Sequence, residues 1–224
     1  MQIPAYADAM VSKPGIWLIL SAFVLQSCAG PVVEPVVPPP DCAQLQCVAL
    51  TFDGGPDGNT AEILDILVAN GARATFFVIG KKVAEAPELV ARMVAEGHEI
   101  GNHSWSHVPF PRLTEPQILA ELATTNRAIA AAADGYEVKI FRPPFGSYSP
   151  RVAAIVPYAP VLWNVDANDW RQVSSAEIAR QVGRAKPGMI ILMHSFVGAS
   201  VRALPEILRQ FRARGFTLVT VSEL

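Results

Sequence analysis

Asp53 closes the apolar run CVALTFD and is followed at once by the turn Gly54-Gly55-Pro56-Asp57. An acid at the exit of a buried strand is well placed to take a proton. His103 and His107 stand four apart in HSWSH. On one helical turn, or on a tight loop resembling one, both imidazoles face the same way, a spacing that suits a first-row metal and zinc above the others. His194 ends the run MIILMH. Asp53 and His194 form a natural proton-transfer pair: a carboxylate takes a proton from an activated water and an imidazole gives one to a leaving group. Arg142 and Asp166 are candidate orienters, the arginine holding the base ionised and the aspartate holding the imidazolium and raising its pKa. Taken singly, each feature has an ordinary reading: a surface or capping histidine pair, a surface salt bridge, a loop cap. Their placement argues otherwise, because three of the four histidines lie at the exits of expected strands and only His98 does not.

The elements that must hold these residues alternate. Strands are expected at 47–53, 74–79, 98–102, 138–142, 160–165, 189–193 and 216–221. Helices are expected at 59–70, 85–96, 114–133, from Pro150, from Ser174 or Ser175 to Arg184, and 201–214. In the first helix Ile63, Leu64 and Leu67 recur at helical spacing. Thr114-Glu115-Pro116-Gln117 is a strong start signal, with threonine as cap, an early proline and glutamine three residues after the cap. Strands and helices in alternation imply parallel strands with helices outside. A doubly wound sheet and a (β/α) barrel both satisfy that order, and a barrel gathers functional residues where its strands end.

The N-terminus has a different character. Gly15–Leu25 (GIWLILSAFVL) is an apolar run preceded by Lys13, too short to span a membrane comfortably and suited to a signal-peptide core. It runs into Leu25-Gln26-Ser27-Cys28, which resembles a bacterial lipobox, so residues 1–28 read as a signal peptide with Cys28 lipidated; the alternative is an ordinary signal peptide with a chance cysteine. Met10 offers a second, tidier start. Residues 29–41 contain five prolines in thirteen positions and read as a tether, extended by about 40 Å if polyproline II at ~3.1 Å per residue. The folded domain is then 42–224. Cys42 and Cys47 face an oxidising envelope, where a disulfide and two free thiols are both open. The formal charge is −2, the pI about 6.1, and no basic run is present, which gives nucleic acid no electrostatic footprint.

TFDGGP, HSWSH, RPPFG, DANDW and ILMH occur in this order between Thr51 and His194. Together they resemble the five motifs of the polysaccharide deacetylases, the NodB-homology carbohydrate esterases. The resemblance implies a distorted (β/α) barrel of about seven parallel strands and metal-dependent hydrolysis of acetyl groups on a glycan. It implies Asp53 as base, His103 and His107 as metal ligands, and Arg142 as the group positioning Asp53. It further implies Phe145, in the turn with Pro144, as an oxyanion donor through its backbone N–H, and His194 as the acid, tuned by Asp166. Trp163, Trp170 and Leu192 are implied as walls of the acetyl pocket. The cofactor implied is a divalent metal, zinc or else cobalt or nickel. The setting expected is a lipid-anchored monomer in a bacterial envelope acting on peptidoglycan, a chitin-like glycan or an exopolysaccharide.

One position departs from that pattern. The first motif of the family reads T-F-D-D-G-P, and its second aspartate is the third protein ligand of the metal. Here that residue is Gly54. Water or substrate could complete the sphere, Asp57 could substitute from beyond the Gly55-Pro56 turn, or the protein could bind glycans without turning them over. A member of the family acting on O-acetyl esters, as xylan esterases do, is a further alternative.

Overall fold

The computed structural model describes residues 40–224. The proposed signal peptide, Cys28 and nearly all of the proline-rich tether lie outside them. Among the described residues no helix is long and apolar enough to cross a membrane.

Six parallel strands form the core: β1 (Gln46–Asp53), β2 (Thr75–Val78), β3 (Glu99–Asn102), β4 (Val165–Asp166), β5 (Ile190–His194) and β6 (Phe216–Val219). Their order is β3-β2-β1-β5-β4, with β6 added to β1. Ala49 pairs with Ile190 of β5 and also with Val219 of β6, so those strands lie on opposite edges of β1. Beyond β6, the edge of β1 from Thr51 to Asp53 passes to β2. A strand paired on both edges and covered on both faces must be apolar throughout, and Val48, Ala49, Leu50 and Phe52 are fully buried. Phe52 stacks on Phe76 of β2 with ring centroids 5.3 Å apart. This is the distorted (β/α) barrel that the motif order implied.

The helices α1 (Thr60–Ala69), α2 (Gly80–Glu85), α3 (Pro87–Ala95), α4 (Glu115–Ala132), α5 (Pro150–Ile155), α6 (Ser175–Val182) and α7 (Gly198–Ala213) surround this sheet. The start signal before α4 is realised as a capping box, in which the Thr114 N–H donates to Gln117 Oε1 at 2.8 Å. Cys42 and Cys47 are joined in a disulfide that ties the segment entering the domain to β1.

Two expectations are corrected, and one element was not foreseen. The helix expected at 85–96 forms as α3, and a separate short helix, α2, precedes it. Ala86 leaves the helical region at φ −141°, and Pro87 opens α3 at a position that needs no N–H. The expected strand at 138–142 shrinks to Phe141, which bridges Asn102 on one side and Pro160 on the other. The Pro143-Pro144 pair that follows has no N–H to extend a ladder. The expected strand at 160–165 likewise becomes that bridge at Pro160 followed by the two residues of β4. The barrel wall between β3 and β4 is therefore thin in backbone hydrogen bonds, and a side chain compensates for it.

Candidate active site

That side chain is Arg142, which is completely buried. Its Nε donates to the Val161 carbonyl at 3.0 Å and one Nη to the Leu162 carbonyl at 3.2 Å. The other Nη donates to Thr51 Oγ1 and to Asp53 Oδ1, both at 2.7 Å. The guanidinium lies 4.0 Å from the Phe77 ring centroid. A buried guanidinium is tolerable only when its donors are used, and here they reach two segments, the end of β1 and Val161–Leu162. Asp53 is fixed at the mouth of β1, in register with His194 on β5.

The Arg142 carbonyl carries the next link. It lies 2.8 Å from His103 Nδ1. That nitrogen must donate, which leaves the lone pair on Nε2. His103 Nε2 lies 3.1 Å from His107 Nε2 and 3.6 Å from Asp53 Oδ2. Burial lowers the pKa of both imidazoles. That of His107 falls to about 4, with the neighbouring His103 adding to the effect of burial. Two neutral imidazoles converging on one point, one with its lone pair turned inward by a backbone carbonyl, fit two positions of a divalent metal.

The loop carrying them is held from α4. Glu121 Oε2 accepts the N–H groups of Trp105 and Ser106, and Oε1 accepts the Ser106 hydroxyl. Buried Asn102 accepts the Ser104 N–H and donates to the Leu122 carbonyl. This bracing sustains left-handed backbone at Ser104 and His107, with φ of 67° and 59°. Phe145 is left-handed as well, at φ 60°, and its ring packs 4.6 Å from that of His107. Unusual backbone held by its surroundings clusters at working sites.

His194 is held by Asp169, not by Asp166. Fully buried Asp169 accepts His194 Nδ1–H at 2.7 Å through Oδ1, and through Oδ2 it accepts the His194 backbone N–H and the Ser200 hydroxyl. Burial alone would lower the pKa of His194, but the Asp169 carboxylate outweighs it and the net shift is upward. Asp166 spends Oδ1 on the Asn168 N–H and acts on His194 only as a more distant charge. DANDW contains both acids, and only the fold decides which one meets the imidazole.

Asp53, His103, His107, Phe145, Trp163, Asp166, Trp170, Leu192 and His194 line one cleft of about 520 Å³, together with Gly54, Ile79, Lys82 and Phe196. Pro144 is buried and does not line it. Nor does Asp57, whose carboxylate accepts the Asn59 N–H and the Ser195 hydroxyl. It is occupied in pinning the β1 turn to the β5 turn, so the structure does not bring it to the imidazole pair. Among the described residues no three His, Cys, Asp or Glu side chains are placed to hold a metal together. At Gly54, φ is +87° and a Cβ would lie 3.0 Å from two ring atoms of Phe196. Lys82 Nζ donates to the Gly54 carbonyl at 2.5 Å. The sequence reading missed Asn102, Glu121, Asp169, Lys82 and Phe196. Of these only Asp169 had a signal, its place inside a recognised motif.

A metal-ready imidazole pair beside a charged acid and a carboxylate-held histidine, at the strand ends of a distorted barrel, defines a hydrolase-type site. The polysaccharide deacetylase family model matches residues 41–161, and the chain belongs to that family. It is 38% identical over 179 residues to the peptidoglycan-N-acetylmuramic acid deacetylase PdaC of Bacillus subtilis (strain 168), covering 79% of this chain and 38% of that protein. It therefore spans well under half the length of that curated relative. It is 36% identical to a chitooligosaccharide deacetylase of Bradyrhizobium sp. (strain ANU 289), covering 82% of this chain and 93% of that one. Among solved structures, one described as T48 deacetylase with substrate aligns with a TM-score of 0.79 at 42% identity, covering 82% of this chain and 92% of that one. A family 4 acetyl xylan esterase from Clostridium thermocellum, solved in complex with a cobalt ion, aligns at 0.75 and 36% identity, covering 79% and 89%.

Two predictions follow from this geometry. Asp169→Asn lowers the His194 pKa by removing the carboxylate that raises it, and moves the alkaline limb of any activity that needs the imidazolium to lower pH; Asp166→Asn moves it less. Titrating the His194 ring by NMR in both variants tests this, and equal shifts would return the role to Asp166. Gly54→Asp by itself tightens zinc binding less than about ten-fold, because a Cβ at φ +87° is strained, though less for aspartate than for most residues, and Phe196 crowds the new side chain. Gly54→Asp with Phe196→Ala binds more tightly than that. Calorimetric titration of both proteins decides, and equal gains would show that Phe196 is no obstacle.

Proposed function

We propose that this protein is a metal-dependent hydrolase that removes acetyl groups from N-acetylated glycans, releasing acetate. The observation that carries the reading is the chain Asp53–Arg142–His103–His107, which joins a buried charged acid to a pair of converging neutral imidazoles through one arginine.

His103 and His107 would hold the metal, zinc in the first instance and otherwise cobalt or nickel. When bound, it supplies Lewis-acid activation of water and compensation of negative charge. The protein's own groups do the rest. Asp53, held in place by Arg142, takes the proton of the attacking water. The Phe145 backbone N–H, in its left-handed turn, is the donor for charge developing on the acetyl oxygen. His194, with Nδ1 committed to Asp169, has Nε2 left to protonate the departing sugar nitrogen. Trp163, Trp170 and Leu192 shut water away from the acetyl group. The glycan is a bacterial envelope polymer, reached from a lipid anchor at Cys28 through the proline-rich tether. That placement rests on residues 1–39 of the sequence, and no nucleic acid is involved.

The glycine at position 54 favours one second reading: glycan binding without turnover, because two imidazoles hold a dication less firmly than two with a carboxylate.

Purified protein is expected to release acetate from N-acetylated oligosaccharides. Excess chelator should abolish release and added zinc restore it, and Asp53→Asn should lower the rate by roughly 10²–10⁴. Acetylated xylan, assayed beside a chitin oligomer and peptidoglycan, separates amide from ester substrates. Full activity in excess chelator rejects the metal role. Saccharide binding with no acetate at any metal concentration moves the assignment to the second reading.

A further inference from the structure

Lys82, on α2, is not used by the chemistry above, yet it lines the same cleft. Its ammonium is half-buried, and its hydrogen-bond partner among the described residues is the Gly54 carbonyl. No carboxylate lies within ion-pair distance of it among those residues, whereas the other buried cation nearby, Arg142, is paired with Asp53 and spends its remaining donors on Thr51, Val161 and Leu162. The Phe196 ring, half-exposed, packs 5.2 Å from the His194 ring and 5.8 Å from Lys82 Nζ. Gly54 brings no side-chain charge to this ammonium, and Lys82 lines the cleft. Two acids share the lining, Asp53 and Asp166. Asp53 is neutralised by Arg142. Asp166 lies on β4, three strand positions from β2, the strand that α2 follows.

We propose that Lys82, with Phe196 beside it and the bare Gly54 backbone beneath, is a specificity site that binds a carboxylate on the glycan, so that the preferred substrate is an acidic N-acetylated saccharide. The ammonium supplies the charge and two N–H donors. The Phe196 ring supplies an apolar wall against which a sugar face packs and which thins the water screening the pair. This rests on the glycan-hydrolase reading, but binding tests it separately from turnover.

The probes are two saccharides of equal length, a neutral N-acetylglucosamine oligomer and one with alternating N-acetylmuramic acid units, whose lactyl ether carries a carboxylate. Binding is measured on Asp53→Asn protein, which holds saccharide without consuming it, and KM on the unsubstituted protein. The acidic saccharide is expected to bind about ten-fold more tightly than the neutral one, the scale of one charge-assisted hydrogen bond. That advantage should shrink as salt rises. Lys82→Gln should bring the ratio near one, and Lys82→Arg should keep most of it. Free acetate as competitor separates a site for the substrate's carboxylate from a site for the released product: competition against the acidic saccharide alone supports the former, and equal competition against both overturns it. Equal, salt-insensitive binding of the two saccharides also overturns the proposal, as does a Lys82→Gln variant that weakens both equally. If no acetate is released from either saccharide while the ratio and its Lys82 dependence persist, the hydrolase reading fails and the carboxylate site stands.

Discussion

The buried ion pair between Arg142 and Asp53 is the constraint on which the rest of the site depends. Desolvating both charges is costly, and the cost is offset only because the guanidinium also satisfies Thr51 and the carbonyls of Val161 and Leu162. Those carbonyls lie where the barrel wall has single bridges instead of ladders. The group that aims the acid thus also closes the barrel. The backbone of the same residue turns His103 so that Nε2 faces its partner imidazole. Acid, imidazole and wall are joined at one arginine, so none of them can drift independently.

Around this centre the loops are braced from behind. Glu121 and Asn102 hold the histidine loop from α4 and β3, and Asp57 with Asn59 holds the β1 turn against the β5 turn. Asp169 is buried with both oxygens occupied, so its charge acts on His194 in a poorly screened environment. The left-handed residues Ser104, His107, Phe145 and Asn168 all sit in these loops. Rigid strands and helix side chains carry that strain, and the reactive groups are displayed at the strand mouths.

Position 54 shows how a single side chain can redistribute a site. No carboxylate stands there, the Gly54 carbonyl is taken by an ammonium, and an aromatic ring crowds the space a side chain would need.

Much of this was legible in the sequence. Apolar runs ending in acid or histidine marked β1 and β5, because a strand buried on both faces must be apolar and its first polar residue marks the mouth. The spacing of His103 and His107 and the order of five motifs carried the family and the fold. The strand at 138–142 and the partner of His194 were misread, and the short helix α2 was not foreseen. In the first, apolar composition suggested a ladder that a following proline pair and a short neighbour did not permit. The six residues of α2, with only Gly80 and Val83 buried, are too few to give a periodic signal. Asp166 and Asp169 are chemically identical and three residues apart, so local sequence could not choose between them; the left-handed turn at Asn168 and the burial of Ser200 made that choice. Types and spacings reside in the chain, and so the sequence determined which chemistry was available. Pairings across long loops depend on which backbone segments the barrel brings to one end, so the tertiary structure decided which acid tunes the imidazole, which helix pins the ligand loop and which cation faces the cleft.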